Sequence, residues 1–343
     1  MTQHEFPARL MVARASRLAY VLLVCWCGGA AAAELAAGAS KGSAQTYPAR
    51  PIRILLPFGP GGVTDITARL VAQRLTDSMQ QQVIVDNRPS AGGIVATETA
   101  MKAEPDGHTL LWLNSGHAVS VSLLKSLPYD PVRDFVPISS IGFFGLALAV
   151  SADSPLKTVP ALVAHAKANR AKFNFGITSV GSTNHVAAEL FKSMAGLDTQ
   201  VVPFKTTPAL IAAARTGEAQ AIVEFVAPVL PHIKTGALRA LAVTSEKRYA
   251  GLPDVPTIAE SGYPGYEASA WNSLAAPAKT PRAIVARLNK EVHAALAQPE
   301  LRQRLHEFAI EARPSTPEAL GALLVAEIAK WKSVVEKAKI ERQ

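Results

Sequence analysis

The chain has 343 residues, 49% of them hydrophobic, a formal charge of +8 and two cysteines. That apolar fraction is ample for a large core. The positive charges are dispersed, on faces such as Lys330, Lys332, Lys337 and Lys339, with no basic–aromatic stripe; they read as a solvated surface with mild attraction for anions and point away from a nucleic-acid partner.

In chain order, the first element is an export signal. Arg9, Arg14 and Arg17 make a basic region, Leu18 to Trp26 an apolar one, and Gly28, Gly29 and the run Ala30 to Ala33 a small-residue site. This order predicts a secretory signal peptide over 1–33, cleaved after Ala33 or somewhat later, with Met11 as an alternative start. The apolar run is shorter than the ~20 residues a membrane span needs. Val24 and Trp26, before the two cysteines, disfavour a lipid-attached form. Both cysteines, Cys25 and Cys27, leave with the signal, so the mature chain has neither a disulfide nor a thiolate metal site. Losing Arg9, Arg14, Arg17 and Glu5 takes the charge from +8 to about +6. Export without cysteines suits a bacterial periplasm. Residues 34–46 are Ala/Gly/Ser-rich and read as a flexible segment. Roughly 300 residues then remain, enough for two domains.

Strands and helices alternate from there. Ile52–Leu56 reads as a strand, and Ile66, Leu70, Val71 and Leu75 mark one face of a helix. Val83–Val85 is a second strand. Ala91-Gly92-Gly93 opens a helix through Ala103, and Thr109–Leu113 is a third strand. This is the rhythm of a parallel sheet with helices on its faces. Ala147–Val150 reads as a strand leaving the first domain. A second α/β series follows, with strands at Phe173–Gly176, Gln200–Phe204, Ala221–Phe225 and Leu238–Val243. The chain is expected to cross back around Ser269-Ala270-Trp271. Ala283–Ala297 and Pro317–Ala338 read as two closing helices.

Between the first strand and its helix lies Pro57-Phe58-Gly59-Pro60-Gly61-Gly62-Val63-Thr64-Asp65. Glycines let backbone N–H groups approach a ligand, and the following helix points its free N–H groups and positive dipole end into the loop. Such a loop binds an anion without a basic side chain. It lies at the carboxyl end of a strand, where open α/β sheets bind ligands.

Tyr47-Pro48 through Asp65 resembles the opening signature of the Bug family, also named TctC: the extracytoplasmic solute receptors of tripartite tricarboxylate transporters. Further blocks resemble the family in order: Val85-Asp86-Asn87-Arg88-Pro89 with Ala91-Gly92-Gly93, Pro105–Leu110, Leu127–Phe135, Leu230–Thr244 and Leu252–Glu260. The resemblance implies an α/β type II periplasmic-binding-protein (Venus-flytrap) fold. Two lobes, 47–149 plus 272–343 and 150–271, would be joined by two crossovers. It implies capture of a small carboxylated solute — a di- or tricarboxylate, an acidic amino acid or an aromatic carboxylate — for the membrane components of the transporter. A sensor protein is a second possible partner, and no cofactor or metal is expected.

The resemblance also implies two clasping loops. One is 57–65, offering Phe58, Gly59, Pro60, Gly61, Gly62, Thr64 and Asp65. The other, 178–185, offers Ser179, Ser182, Thr183 and Asn184. Thr64, Ser182, Thr183 and Asn184 are equally the residue types that cap helices. Asp65 either accepts a ligand ammonium or complements its own helix dipole. Ser115 and His117, beyond the third strand, are candidates to line the cleft. The chain departs from the family pattern at Gly59, where Pro is usual, at Phe204-Lys205-Thr206 in place of Tyr-Lys-Gly, and at Glu224-Phe225 in place of Asp-Asn. Phe204 and Phe225 suggest a more apolar wall for a larger or aromatic carboxylate, while Glu224 keeps a charge.

A secreted hydrolase is the enzymatic alternative. Ser179-Val180-Gly181 lacks the Gly that a nucleophile elbow needs where Ile177 stands, and Ser115 fails the same pattern. His185 and Glu189 have i, i+4 spacing but no second His nearby. Gly59–Gly62 lacks the Gly-Lys-Ser/Thr ending of a nucleotide loop. No nucleophile, base and orienter assemble, and the chain is not expected to be an enzyme.

Overall fold

A computed structural model describes residues 47–178 and 180–342. The signal peptide over 1–33, the segment 34–46 and Ser179 lie outside the described residues. The chain divides into a segment, Met1–Ala49, and a body, Arg50–Gln343, which contains every element described.

The apolar run Ile52–Leu56 is strand β1, and helix α1 spans Val63–Met79. β2 (Val83–Asn87) leads through a 3-10 turn, Ala91–Gly93, into α2 (Ile94–Met101). β3 (Thr109–Asn114), α3 (Ser115–Leu123) and the long strand β4 (Phe135–Ser151) follow. Next come α4 (Val159–Ala168), β5 (Asn174–Ile177), α5 (Thr183–Ala195), β6 (Gln200–Pro203), α6 (Thr207–Thr216) and β7 (Ala221–Phe225). Then come α7 (Val226–Lys234), β8 (Leu238–Val243) and β9 (Ser269–Pro277). The chain closes with α8 (Arg282–Ala297), α9 (Pro299–Glu307), β10 (Glu311–Ala312) and α10 (Pro317–Lys337). Side chains cap several helices: Ser182 at α5, Thr206 at α6 and Thr316 at α10 each accept a bond from a first-turn N–H.

The strands run in the order β2-β1-β3-β9-β4-β7-β5-β6, with β8 and β10 also paired to β4. β2, β1 and β3 are mutually parallel, as are β7, β5 and β6. Between these groups β9 and β4 run antiparallel to their neighbours. The sheet is therefore mixed rather than parallel throughout. These two strands carry the chain across and back without a crossover helix, so nothing forces them to be parallel. The run Ala147–Val150 is only the carboxyl end of β4. Upstream, Pro137, Ser139, Ser140 and Gly142 interrupt the apolar pattern, and two register shifts against β9 accommodate them. Gly142 has a packing reason: a Cβ there would lie 2.6 Å from Ile310 Cγ2 and 2.9 Å from the Glu311 carbonyl oxygen.

Helices α7 and α9 lack clear sequence signals. α7 contains Pro228 in its first turn and Pro231 inside, and α9 is dominated by charged and polar residues. One large core cluster includes Leu113, Phe173, Phe175, Phe191, Trp271 and Trp331. α10 packs on α3, β4 and α5, and Trp331 Nε1 donates to Glu327 Oε2 at 2.9 Å.

Thr244 ties β4 to the segment that precedes β9. Its buried Oγ1 accepts from Leu146 N at 2.8 Å and donates to the Ala268 carbonyl at 2.7 Å. Thr244→Val keeps the shape but strands both backbone groups. It should lower the unfolding free energy by about 2 kcal/mol. A urea titration reads this directly, and an unchanged midpoint would show that these two bonds carry no stability.

Candidate functional site

Five strand-to-helix junctions converge on one cavity of about 520 Å³. The first residues of α1, α3, α5, α6 and α7 (Val63, Ser115, Thr183, Thr207 and Val226) all line it. Each helix starts at or soon after the carboxyl end of a strand, so free N–H groups and positive dipole ends face the same space. No Lys or Arg is among the described residues of the wall, and only His117 and Glu224 there can titrate. Any attraction of the cavity for an anion would come from backbone dipoles and neutral donors.

Loop 57–65 contributes Phe58 and Thr64 to the wall. Phe58 stands at the rim, 43% exposed. Gly59, Pro60, Gly61 and Gly62 are not part of the wall; the loop projects into open space, and a Cβ added at any of its three glycines would meet nothing within 4 Å. Gly61 has φ +85°, a conformation that favours glycine. Asp65 lies beneath the loop, buried and also outside the wall. Its Oδ2 accepts from Gly61 N and Arg69 Nε, both at 3.0 Å, and its Oδ1 accepts from Asn87 Nδ2 at 2.8 Å. Burial raises its pKa, but Arg69, Gly61 and Asn87 outweigh that and hold it below the usual carboxylate value. Asp65 thus closes its own loop, and Asn87 also donates to the Phe58 carbonyl at 3.0 Å.

Loop 178–185 lies on another side of the same cavity. Ser182 caps α5, and Thr183 and Asn184 are buried in its first turn. The hydroxyls of Thr183 and Ser115 are 3.2 Å apart and join the start of α5 to the start of α3. Asn184 Nδ2 donates to Glu224 Oε1 at 2.8 Å, and Phe225 N donates to the same oxygen at 2.8 Å. Glu224 is 1% exposed, and among the described residues no cation lies within ion-pair distance of it. Burial pushes its carboxyl up, against hydrogen bonds from Phe225, Asn184, Thr178 and Thr207. His185 accepts from Gly181 N at 3.1 Å, and Glu189 pairs with Lys192 at 2.8 Å.

Phe225 lines the cavity with its ring 5.3 Å from that of Phe144. Phe204 does not join them. It packs against a second core cluster that includes Ile222, Val226 and Val243, because β6 is a sheet edge. The aromatic wall expected from Phe204 and Phe225 is instead made by Phe144 and Phe225.

Ser115 and His117 both line the cavity. His117 is fully buried: its Nδ1 accepts from Asn114 N at 3.2 Å and its Nε2 lies 3.0 Å from Thr97 Oγ1. Thr97 Oγ1 in turn donates to the Gly93 carbonyl at 2.8 Å. That chain assigns the ring proton to Nε2. Burial lowers the His117 pKa to about 4, so it is neutral at ordinary pH.

The wall also contains residues that sequence reasoning missed. Asn114 caps α3, and Asn272 sits within the apolar strand β9. A polar side chain inside an otherwise buried run was the available signal for Asn272; an Asn ending an apolar strand was the signal for Asn114. Phe144 and Phe308 carried none, since a lone Phe in an apolar neighbourhood reads as core.

A family model described as "Tripartite tricarboxylate transporter family receptor" matches residues 67–340. Among curated proteins, BugT of Bordetella pertussis is 38% identical over 298 residues, which cover 85% of this chain and 90% of BugT. Among solved structures, Rpa4515 of R. palustris with adipate has a TM-score of 0.77 at 33% identity, covering 86% of this chain and 99% of that one. The periplasmic binding protein BugD has a TM-score of 0.74 at 30% identity, covering 87% and 100%.

Proposed function

This chain belongs to the tripartite tricarboxylate transporter receptor family, whose members are solute-binding receptors, and from that premise we propose that it captures a small carboxylated solute in the periplasm for the membrane components of such a transporter. The observation that carries the reading is the convergence of five helix N-termini on a cavity whose described wall has no Lys or Arg. Such an arrangement binds an anion and releases it, because no fixed cation holds it. Rpa4515, whose fold this chain shares, was solved with adipate. The basic, apolar and small-residue order of 1–33 supports export. The lobes of this proposal are 47–149 plus 272–343 and 150–271. Loop 57–65 and loop 178–185 close on the ligand from opposite sides, with Ser182 and one hydroxyl of the bonded Ser115–Thr183 pair as side-chain donors.

The same wall weighs against a hydrolase. The Ser115 hydroxyl meets Thr183, and both ring nitrogens of His117 are engaged by groups other than a serine. The reading is tested by thermal shift on protein refolded free of copurified ligand, against a panel of small carboxylates. A binder at about 100 times its Kd stabilises the native state by about 2.7 kcal/mol. One carboxylate should raise the melting temperature, compact the protein in solution scattering and be recovered unchanged. A flat panel, or a ligand consumed by the protein, overturns the proposal.

A further inference from the structure

The floor of the cavity is a strip of sheet whose chemistry changes along it. Strands β3, β9, β4 and β7 are neighbours in that order, and they place Asn114, Asn272, Phe144 and Phe225 on the wall. Asn114 and Asn272 are direct register partners. Phe144 pairs with Ala270, which is two residues from Asn272 and so on the same face of β9. Phe225 pairs with Leu146, two residues along β4 from Phe144. At about 4.8 Å per strand, the floor is about 14 Å wide, from an amide pair to an aromatic pair.

The amide end has donors to give. The Nδ2 atoms of Asn114 and Asn272 have no partner among the described residues, although both side chains are more than nine-tenths buried. Asn114 is held in orientation, because its Oδ1 accepts from Gly116 N at 2.8 Å as the cap of α3. Buried donors are nearly always bonded, and these two belong to wall residues beside the first residue of α3, where a ligand acceptor that reaches them would satisfy both.

The aromatic end has no unbonded amide of that kind among the described residues, although α7 begins there at Val226. Phe144 and Phe225 stand tilted at 50°, with Val226 and Phe308 nearby on the wall. Beside them is the buried carboxyl of Glu224, bonded to Phe225 N and Asn184, with no cation paired to it. A second ligand carboxylate placed here would lose its water, meet aromatic carbon and face an acidic group.

Resting on the receptor reading above, we propose that the site selects an aromatic monocarboxylate, its carboxylate toward Asn114 and Asn272 and its ring against Phe144 and Phe225, over an open-chain dicarboxylate. Ring-on-ring contact adds to the burial of apolar area there. The test is calorimetric titration of the refolded protein with benzoate, phenylacetate, adipate and malate. One of the two aromatic acids should bind at least tenfold tighter than adipate or malate. Phe225→Asn should reduce that ratio at least tenfold. If that variant does not fold, Glu224→Gln, whose amide oxygen can keep the bonds from Asn184 and Phe225, should tighten adipate at least threefold. Adipate or malate binding as tightly as the aromatic acids overturns the selectivity while leaving the receptor reading standing. Binding of none of the four overturns this proposal and, with a flat wider panel, the receptor reading as well.

Discussion

Acidification from pH 6.5 to 4 is expected to take about 3 kcal/mol from the folded protein through His117 alone. In the unfolded chain the imidazole titrates near its ordinary value of 6.5; in the fold, burial lowers it to about 4. Between those values the unfolded state binds a proton that the native state refuses. Stability is therefore complete above pH 6.5, falls as the pH drops through the window, and levels off below about 4. The slope is about 1.4 kcal/mol per pH unit, which gives the figure above. Protonation would also remove the acceptor for Asn114 N and disturb the chain through Thr97 to the Gly93 carbonyl. Both ends of that chain line the cavity. His185, lowered chiefly by burial, adds a loss of the same sign. Urea unfolding from pH 7 to 4 should show a steeper decline in the wild type than in His117→Gln. Parallel curves would mean that the His117 ring is already charged, or solvated, in the native state.

Asp65→Ala should destabilise by about 3 kcal/mol, since hydrogen bonds to a buried charged group are among the strongest single contributions and three donors lose their acceptor together. Gly61 N, Arg69 and Asn87 are those donors. Arg69 is half exposed and recovers water, so Gly61 and Asn87 carry most of the loss. The loop from Phe58 to Gly62 would lose its tether at both ends, and affinity for any ligand clasped by it should fall with stability. Because the native carboxyl is held below its ordinary value, its contribution is complete above about pH 3.8 and is lost as the pH falls through the folded value. That window begins where the one for His117 ends, so the loss of stability should continue below pH 4. A denaturant midpoint unchanged in Asp65→Ala would show that the loop is held by packing rather than by this carboxylate.

Much of the molecule follows from short-range signals. The β1 run, the loop at 57–65, the capping residue Ser182, and the alternation of strands and helices depend on residues a few positions apart, and they could be read in order. So could the family blocks, because several short signatures in sequence constrain one another. The role of Asp65 was open at that level, because one of its three partners, Asn87, lies 22 residues away. The register of β4 and β9 was hidden for the same reason, since Pro137, Ser139, Ser140 and Gly142 obscure a strand whose pairing comes from Ser269–Pro277.

The α/β class, the family blocks and the two loops that open helices are legible from short segments, because they depend on local propensity and spacing. Which side chains share the cavity depends on contacts between distant segments and emerges with the folded chain. The fold set Asn272 beside Asn114 and Phe144 beside Phe225, and it placed Phe204 against a different core. The physical reason is that strand register is a contact between distant segments, so the pattern within either segment cannot specify what faces it.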